Sequence, residues 1–172
     1  ARVIDVAEPE IRKESQMSDN RKSTKEILDE LECKHGLKHN PISGKRVLFE
    51  LSAPRSQDLW FLWTPGSRIY DDGRAWVDLN EKQKQEAEKG VYRERIGILR
   101  LGDGDLVYLN LNDFGKYLTE ERLNANSKEG RFWRIYIWHK ESPPYAEIYV
   151  RNGESQKYMS IQVNDDSLIN KL

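Results

Sequence analysis

Three carboxyl-terminal runs of the chain place rings and guanidinium groups on alternate positions. In Arg131–His139, Trp133, Ile135 and Ile137 share one parity, and Phe132, Arg134, Tyr136 and Trp138 share the other. In Tyr145–Arg151, Ala146, Ile148 and Val150 alternate with Tyr145, Glu147, Tyr149 and Arg151. In Lys157–Val163, Met159, Ile161 and Val163 alternate with Tyr158, Ser160 and Gln162. Successive side chains of a strand point to opposite faces. Read as strands, the three runs share one aliphatic face and one face carrying Arg134, Tyr136, Trp138, Tyr145, Tyr149, Arg151 and Tyr158. Such a face suits nucleic acid. Each base stacked on a ring contributes about 1–3 kcal/mol, and a guanidinium grips phosphate with two parallel hydrogen bonds. Arg55, Arg68 and Arg74 in loops, and Arg93, Arg95 and Arg100 on or beside one hairpin, extend this chemistry as a phosphate-contacting rim. The same residue types also pack beneath helices with their polar tips outward, and they are enriched where proteins meet. A covering helix, a nucleic acid and a protein partner or homodimer therefore compete for the face.

Other chemistries are less well provided. Metal-dependent strand cleavage needs carboxylates that converge beside a Lys. Glu50, Asp58, Asp71, Asp72 and Asp78 lie on or near strand-like runs, but Glu32-Cys33-Lys34 falls on a helix and Asp78-Leu79-Asn80 lacks the Lys. A nuclease-like enzyme is thus a third reading, and catalytic residues are not assigned. Cys33, His35 and His39 offer three soft ligands, but a structural zinc needs a fourth and only His139 remains. The Gly102-Asp103-Gly104-Asp105 run sits between two strands, whereas a phosphate cradle opens into a helix. Its two acids lack the closing Glu of a calcium loop. No metal and no cofactor are expected.

Elements that position these residues follow from local signals. Ser23 and Glu26 form a capping box before Ile27, Leu28 and Leu31, and Gly36 is a natural stop, so a helix spans about Thr24–His35. Lys45–Leu51 reads as a strand, Leu59–Trp63 as a strand apolar on both faces, and Ala75–Leu79 as a short one. Asn80 opens a helix with one apolar residue, stopped by Gly90. Tyr92–Leu101 and Leu106–Leu111 form a hairpin. Asn112 caps a helix that turns Phe114, Tyr117 and Leu118 inward, and whether it lies over Tyr136 and Tyr149 decides whether those rings are core or surface.

The fold class is therefore α+β and mostly antiparallel, a highly curved sheet or partly open barrel of about seven strands with two or three helices. Residues 1–22, with a possible strand at Arg2–Val6, read as a flexible or docked arm, and residues 23–172 as one domain. Lys and Arg total 28 against 29 Asp and Glu, so a nucleic-acid site must be a local patch. One Cys allows no disulfide within the chain, no apolar run nears the roughly 18 residues of a membrane span, and Ala1–Ser15 has no signal-peptide core. The expectation is a cytoplasmic nucleic-acid-binding module, DNA before RNA, without a membrane. The nearest architectural analogy is to small β-rich modules of defence or regulatory systems.

Overall fold

The computed structural model describes residues 20–128 and 130–172. The expected arm, with its Arg2–Val6 strand, lies outside them except for its last three residues.

Helix α1 (Thr24–His35) has the bounds its capping box implies. Ser23 Oγ accepts from the Glu26 N–H at 3.1 Å, and the Glu26 carboxylate accepts from the Ser23 N–H at 3.3 Å. Gly36 ends it at φ 68°, a left-handed turn that suits a residue without a Cβ. The remaining elements, among the described residues, are β1 (Lys38–Pro41), β2 (Leu48–Ser52), β3 (Leu59–Trp63), β4 (Gly66–Ser67), β5 (Ala75–Asn80), α2 (Glu81–Ala87), β6 (Tyr92–Leu101), β7 (Leu106–Asn110), α3 (Leu111–Phe114), two short 3-10 helices (Gly115–Tyr117 and Glu120–Arg122), β8 (Asn124–Asn126), β9 (Gly130–Trp138), β10 (Tyr145–Ile148), β11 (Gln156–Tyr158), β12 (Gln162–Val163) and α4 (Ser167–Asn170).

The chain is α+β, but among the described residues the strands build two sheets, not one curved sheet, and no barrel closes. The first sheet has the order β1-β2-β3-β6-β7-β12, with β4 also on β6. The second has the order β11-β10-β9-β5, with β8 also on β9. One physical reason lies in the last run, which is two strands. Gln156–Tyr158 pairs with β10, and Gln162–Val163 pairs with β7 of the other sheet. The bend between them breaks the alternation. Tyr158 stands opposite Ala146 and is 8% exposed, whereas Met159 is 51% exposed. Tyr158 thus belongs to the core and not to the ring-bearing face. The first sheet is also mixed in direction. Between β3 and β6 the chain visits β5 in the second sheet, so it returns parallel to β3 and β4.

The two-faced strand β3 explains the layering. Trp60 and Leu62 pack with Ile27, Leu28 and Leu31 of α1 on one side of the first sheet. Phe61 and Trp63 pack on the other side with Val77, Leu79, Trp133, Ile135, Ile137, Ala146 and Ile148 of the second sheet. The first sheet is therefore covered on both faces and the second on its inner face. Helix α3 starts one residue before the expected cap, with Asn110 Oδ1 accepting from the Asn112 N–H at 3.0 Å. It packs against β6 and β7, and its Phe114 meets Tyr158 edge-on at 5.0 Å within the core. It does not lie over Tyr136 and Tyr149. Among the described residues, no helix is long and apolar enough to cross a membrane.

Candidate functional site

The outer face of the second sheet gathers most of the residues that the alternation singles out. Pairing of β5 with β9 sets Trp76 opposite Tyr136 and Asp78 opposite Arg134. Pairing of β9 with β10 sets Tyr136 opposite Glu147 and Trp138 opposite Tyr145. Each of these side chains is half-buried. Tyr149 follows β10 directly, and its N–H donates to the Arg134 carbonyl at 2.9 Å.

Cations and rings interleave across this face. The Arg134 guanidinium lies 4.1 Å from the Trp76 ring centre and 5.3 Å from that of Phe132. Its Nε and Nη2 donate to the two Asp78 carboxylate oxygens at 2.9 and 3.0 Å. Arg74 lies 4.0 Å above Tyr136 and 5.7 Å from Trp138. Asp72 stands 2.8 Å from Arg74 Nε but off the N–H axis, an ion pair without a hydrogen bond. Tyr70 stacks on Trp76 at 5.5 Å, and Trp138 on Tyr145 at 6.2 Å. Tyr136 and Tyr149 meet edge-on at 6.0 Å. Trp138 Nε1 donates to Glu147 at 3.3 Å. Each cation held on a ring is stabilised by about 0.5–2 kcal/mol, so the array is set in place before any ligand arrives. Its charges are also largely balanced by Asp72, Asp78 and Glu147. Arg151 is exposed in the turn after β10, outside the ring contacts, and Tyr158 is in the core.

Two depressions continue from the edge of this face. One, of about 350 Å³, is lined by Trp76, Asp78, Tyr70, Arg68, Gly66 and Arg21, with their neighbours. The other, of about 550 Å³, is lined by Arg21, Lys22, Ser23, Thr24, Arg46, Val47 and Arg100, with no carboxylate among them. Arg21 is common to both. Arg100 donates from Nε to the Thr64 carbonyl and from Nη1 to the Lys22 carbonyl, both at 3.0 Å. Burial, and then the neighbouring charge of Arg21, lower the Arg100 pKa. Of these cations the sequence had singled out Arg68 and Arg100. Arg21-Lys22 directly precedes the capping box and Lys45-Arg46 opens a strand, but neither pair signals that the fold brings it to Arg100.

The carboxylates proposed for cleavage chemistry do not gather. Glu50 accepts from the Tyr92 hydroxyl at 2.9 Å, Asp58 pairs with Arg93 at 2.8 Å, and Asp78 is held by Arg134. Cys33 is exposed, and His35 is bound to Asp166 at 2.9 Å. The structure instead brings together Asp103, Asp105 and His139, whose ligand atoms lie within 4.8 Å of one another. His139 Nε2 is 2.8 Å from Asp103, and the Lys140 ammonium is 2.9 Å from Asp105 and 3.6 Å from Asp103. Lys140 thus supplies the positive charge that a metal would bring, and the network ties the β6–β7 turn to the end of β9. A third cavity, of about 450 Å³ between α2 and α3, has an apolar floor of Phe61, Leu79, Leu111 and Leu118. Its cationic rim is committed: Lys84 to Glu88, Lys116 to Asp113, and Arg95 to Asn112 and the Ala87 and Lys89 carbonyls.

No family model matches this chain, and searches of curated proteins and of solved structures find no match either.

Proposed function

We propose that the protein is a nucleic-acid-binding module, for DNA in the first instance, that lays a strand along the outer face of its second sheet. The observation that carries this reading is continuity. Trp76 belongs both to the ring array and to the smaller depression, and Arg21 joins that depression to the acid-free basic one. Bases and phosphates need these two surfaces side by side, rings for stacking and cations for charge. The net charge of −1 is no obstacle, because the cations are local. The reading is one of binding without catalysis, since Asp78 is already committed to Arg134. It includes a cytoplasmic setting, which an exposed Cys33 outside any disulfide suits.

The test is a fluorescence titration with single- and double-stranded DNA and RNA at several salt concentrations. Affinity should fall steeply with salt, and Tyr136→Ala should weaken it while the thermal transition, though lowered, stays cooperative. Absence of binding at low salt overturns the reading.

One observation favours a second use of the same face. Arg74 is paired with Asp72 and Arg134 with Asp78, Glu147 accepts from the Trp138 indole, and such balanced charge among rings suits a protein surface better than phosphate. A partner protein or a second copy of this chain would be revealed by sedimentation that depends on concentration and on Trp138.

A further inference from the structure

The larger depression differs from a surface that merely carries lysines. Its cations come from three separate stretches: Arg21 and Lys22 before α1, Arg46 before β2, and Arg100 near the end of β6. They surround a concave space of about 550 Å³ that also receives the first residues of α1, Ser23 and Thr24. Among the described residues, none of the four cations has an acidic partner. Glu26, in the first turn of α1, is committed to the helix cap: its carboxylate accepts from the Ser23 N–H and Oγ, both at 3.3 Å.

Arg100 carries the argument. Two of its nitrogens are fixed by backbone carbonyls, which orient the guanidinium without neutralising it. It is partly withdrawn from water and faces the like charge of Arg21. Both conditions disfavour a cation, and burial is the larger of them. Arg21 is itself seated against backbone. A methyl group built on Gly66 would lie 2.8 Å from Arg21 Cδ and 2.9 Å from Nη1. The fold thus lines one depression with like charges, Arg21 acting on Arg100, and an anion placed there relieves their repulsion.

We propose that this depression binds the terminal phosphate of a nucleic-acid strand, a reading that rests on the strand-binding function proposed above. A terminal phosphate monoester carries about −1.5 to −2 charges near neutral pH, against one for an internal diester, and offers three strong acceptor oxygens. Four cations around a pocket suit the first better than the second. Guanidinium groups from different segments can hold separate oxygens, as charge-assisted hydrogen bonds require. The strand then leaves past Arg21 and Gly66 toward Tyr70 and Trp76, where the ring array begins.

The test compares oligonucleotides of one sequence bearing a 5′-phosphate, a 3′-phosphate or neither, with inorganic phosphate titrated in parallel by calorimetry. At least one terminally phosphorylated strand should bind about tenfold or more tightly than the bare strand. That advantage should vanish in Arg46→Ala, whose side chain is exposed, and fall in Gly66→Ala, which displaces Arg21. Melting curves of both variants establish that they fold. Equal affinity for all three strands overturns the proposal, while loss of their binding in Tyr136→Ala would leave the ring face standing. Binding of inorganic phosphate with no binding of any strand overturns both the terminal-phosphate assignment and the strand reading. A phosphate advantage that survives in Arg46→Ala and Gly66→Ala places the terminal phosphate elsewhere and also overturns the proposal.

Discussion

The ring face and the basic depression use the same cation in opposite ways. On the ring face, Arg134 lies against Trp76 and is held at both oxygens of Asp78, so its charge is balanced within the protein. In the depression, Arg100 is oriented just as firmly, but by carbonyl groups, and the charge that acts on it is that of another arginine, Arg21. Orientation is common to both and neutralisation is not. An arginine count therefore says little about where an anion will bind. The local acids decide it: Asp72 and Asp78 pair with the arginines of the sheet, whereas Glu26 at the helix start is taken up by its cap.

Breaking the balanced side should have the largest effect. Asp78→Ala leaves Arg134 partly buried without its carboxylate, and stability should fall by about 2 kcal/mol, below the range for fully buried pairs because both side chains retain some exposure. Chemical denaturation measures this. If Asp78→Ala is as stable as the parent, the face is not electrostatically closed as described. Next in size, Tyr136→Ala should cost about 1–2 kcal/mol of strand affinity while leaving the salt dependence unchanged, because a stacked ring releases no counterion. Arg46→Ala should do the converse, reducing the slope of log affinity against log salt by about one.

Smaller effects separate the regions further. Arg46→Ala should change stability by less than about 0.5 kcal/mol, since it removes an exposed cation with no acidic partner among the described residues. A clear loss of stability would mean that the depression holds an internal counter-charge. A pH-dependent contribution should come from outside both regions, from Asp105 in the β6–β7 turn. Burial raises the Asp105 pKa, but hydrogen bonds from Asn164 and Lys140 outweigh it, so the net shift is downward. The folded state thus favours the carboxylate. Its contribution is present above the ordinary carboxyl range near about 4 and is lost as pH falls through the lowered value. Thermal melts between about pH 2 and 5 should show that loss, and Asp105→Asn should flatten it.

How much was legible beforehand varies with the range of the interaction. Helix α1 was readable to the residue because its cap is local chemistry between Ser23 and Glu26. The inward phase of Trp133, Ile135 and Ile137 was readable because β9 is unbroken over its length. Tyr158 was misplaced because alternation holds only within a strand, and a bend between Tyr158 and Gln162 restarts it. The division into two sheets was not legible either, since pairing of β12 with β7 leaves no mark in the residues between them. The same holds for the site. The ring face lies within neighbouring strands and could be read by parity. The depression joins Arg21, Arg46 and Arg100 from distant stretches, and only the fold brings them to one place.

The visit to β5 between β3 and β6 also bears on how the chain assembles during synthesis. Neither sheet is encoded by an uninterrupted stretch. The first begins at β1, lends the chain to the second for β5, takes it back for β6 and β7, and gains β12 only at Gln162–Val163. A ribosome would release much of both sheets before either could finish pairing. Topologies dominated by such distant pairings fold slowly, over about milliseconds to seconds. Partly made chains would present the open edge of β7 and the rings of β9 together, a window in which a chaperone or another nascent copy could engage them before β12 arrives.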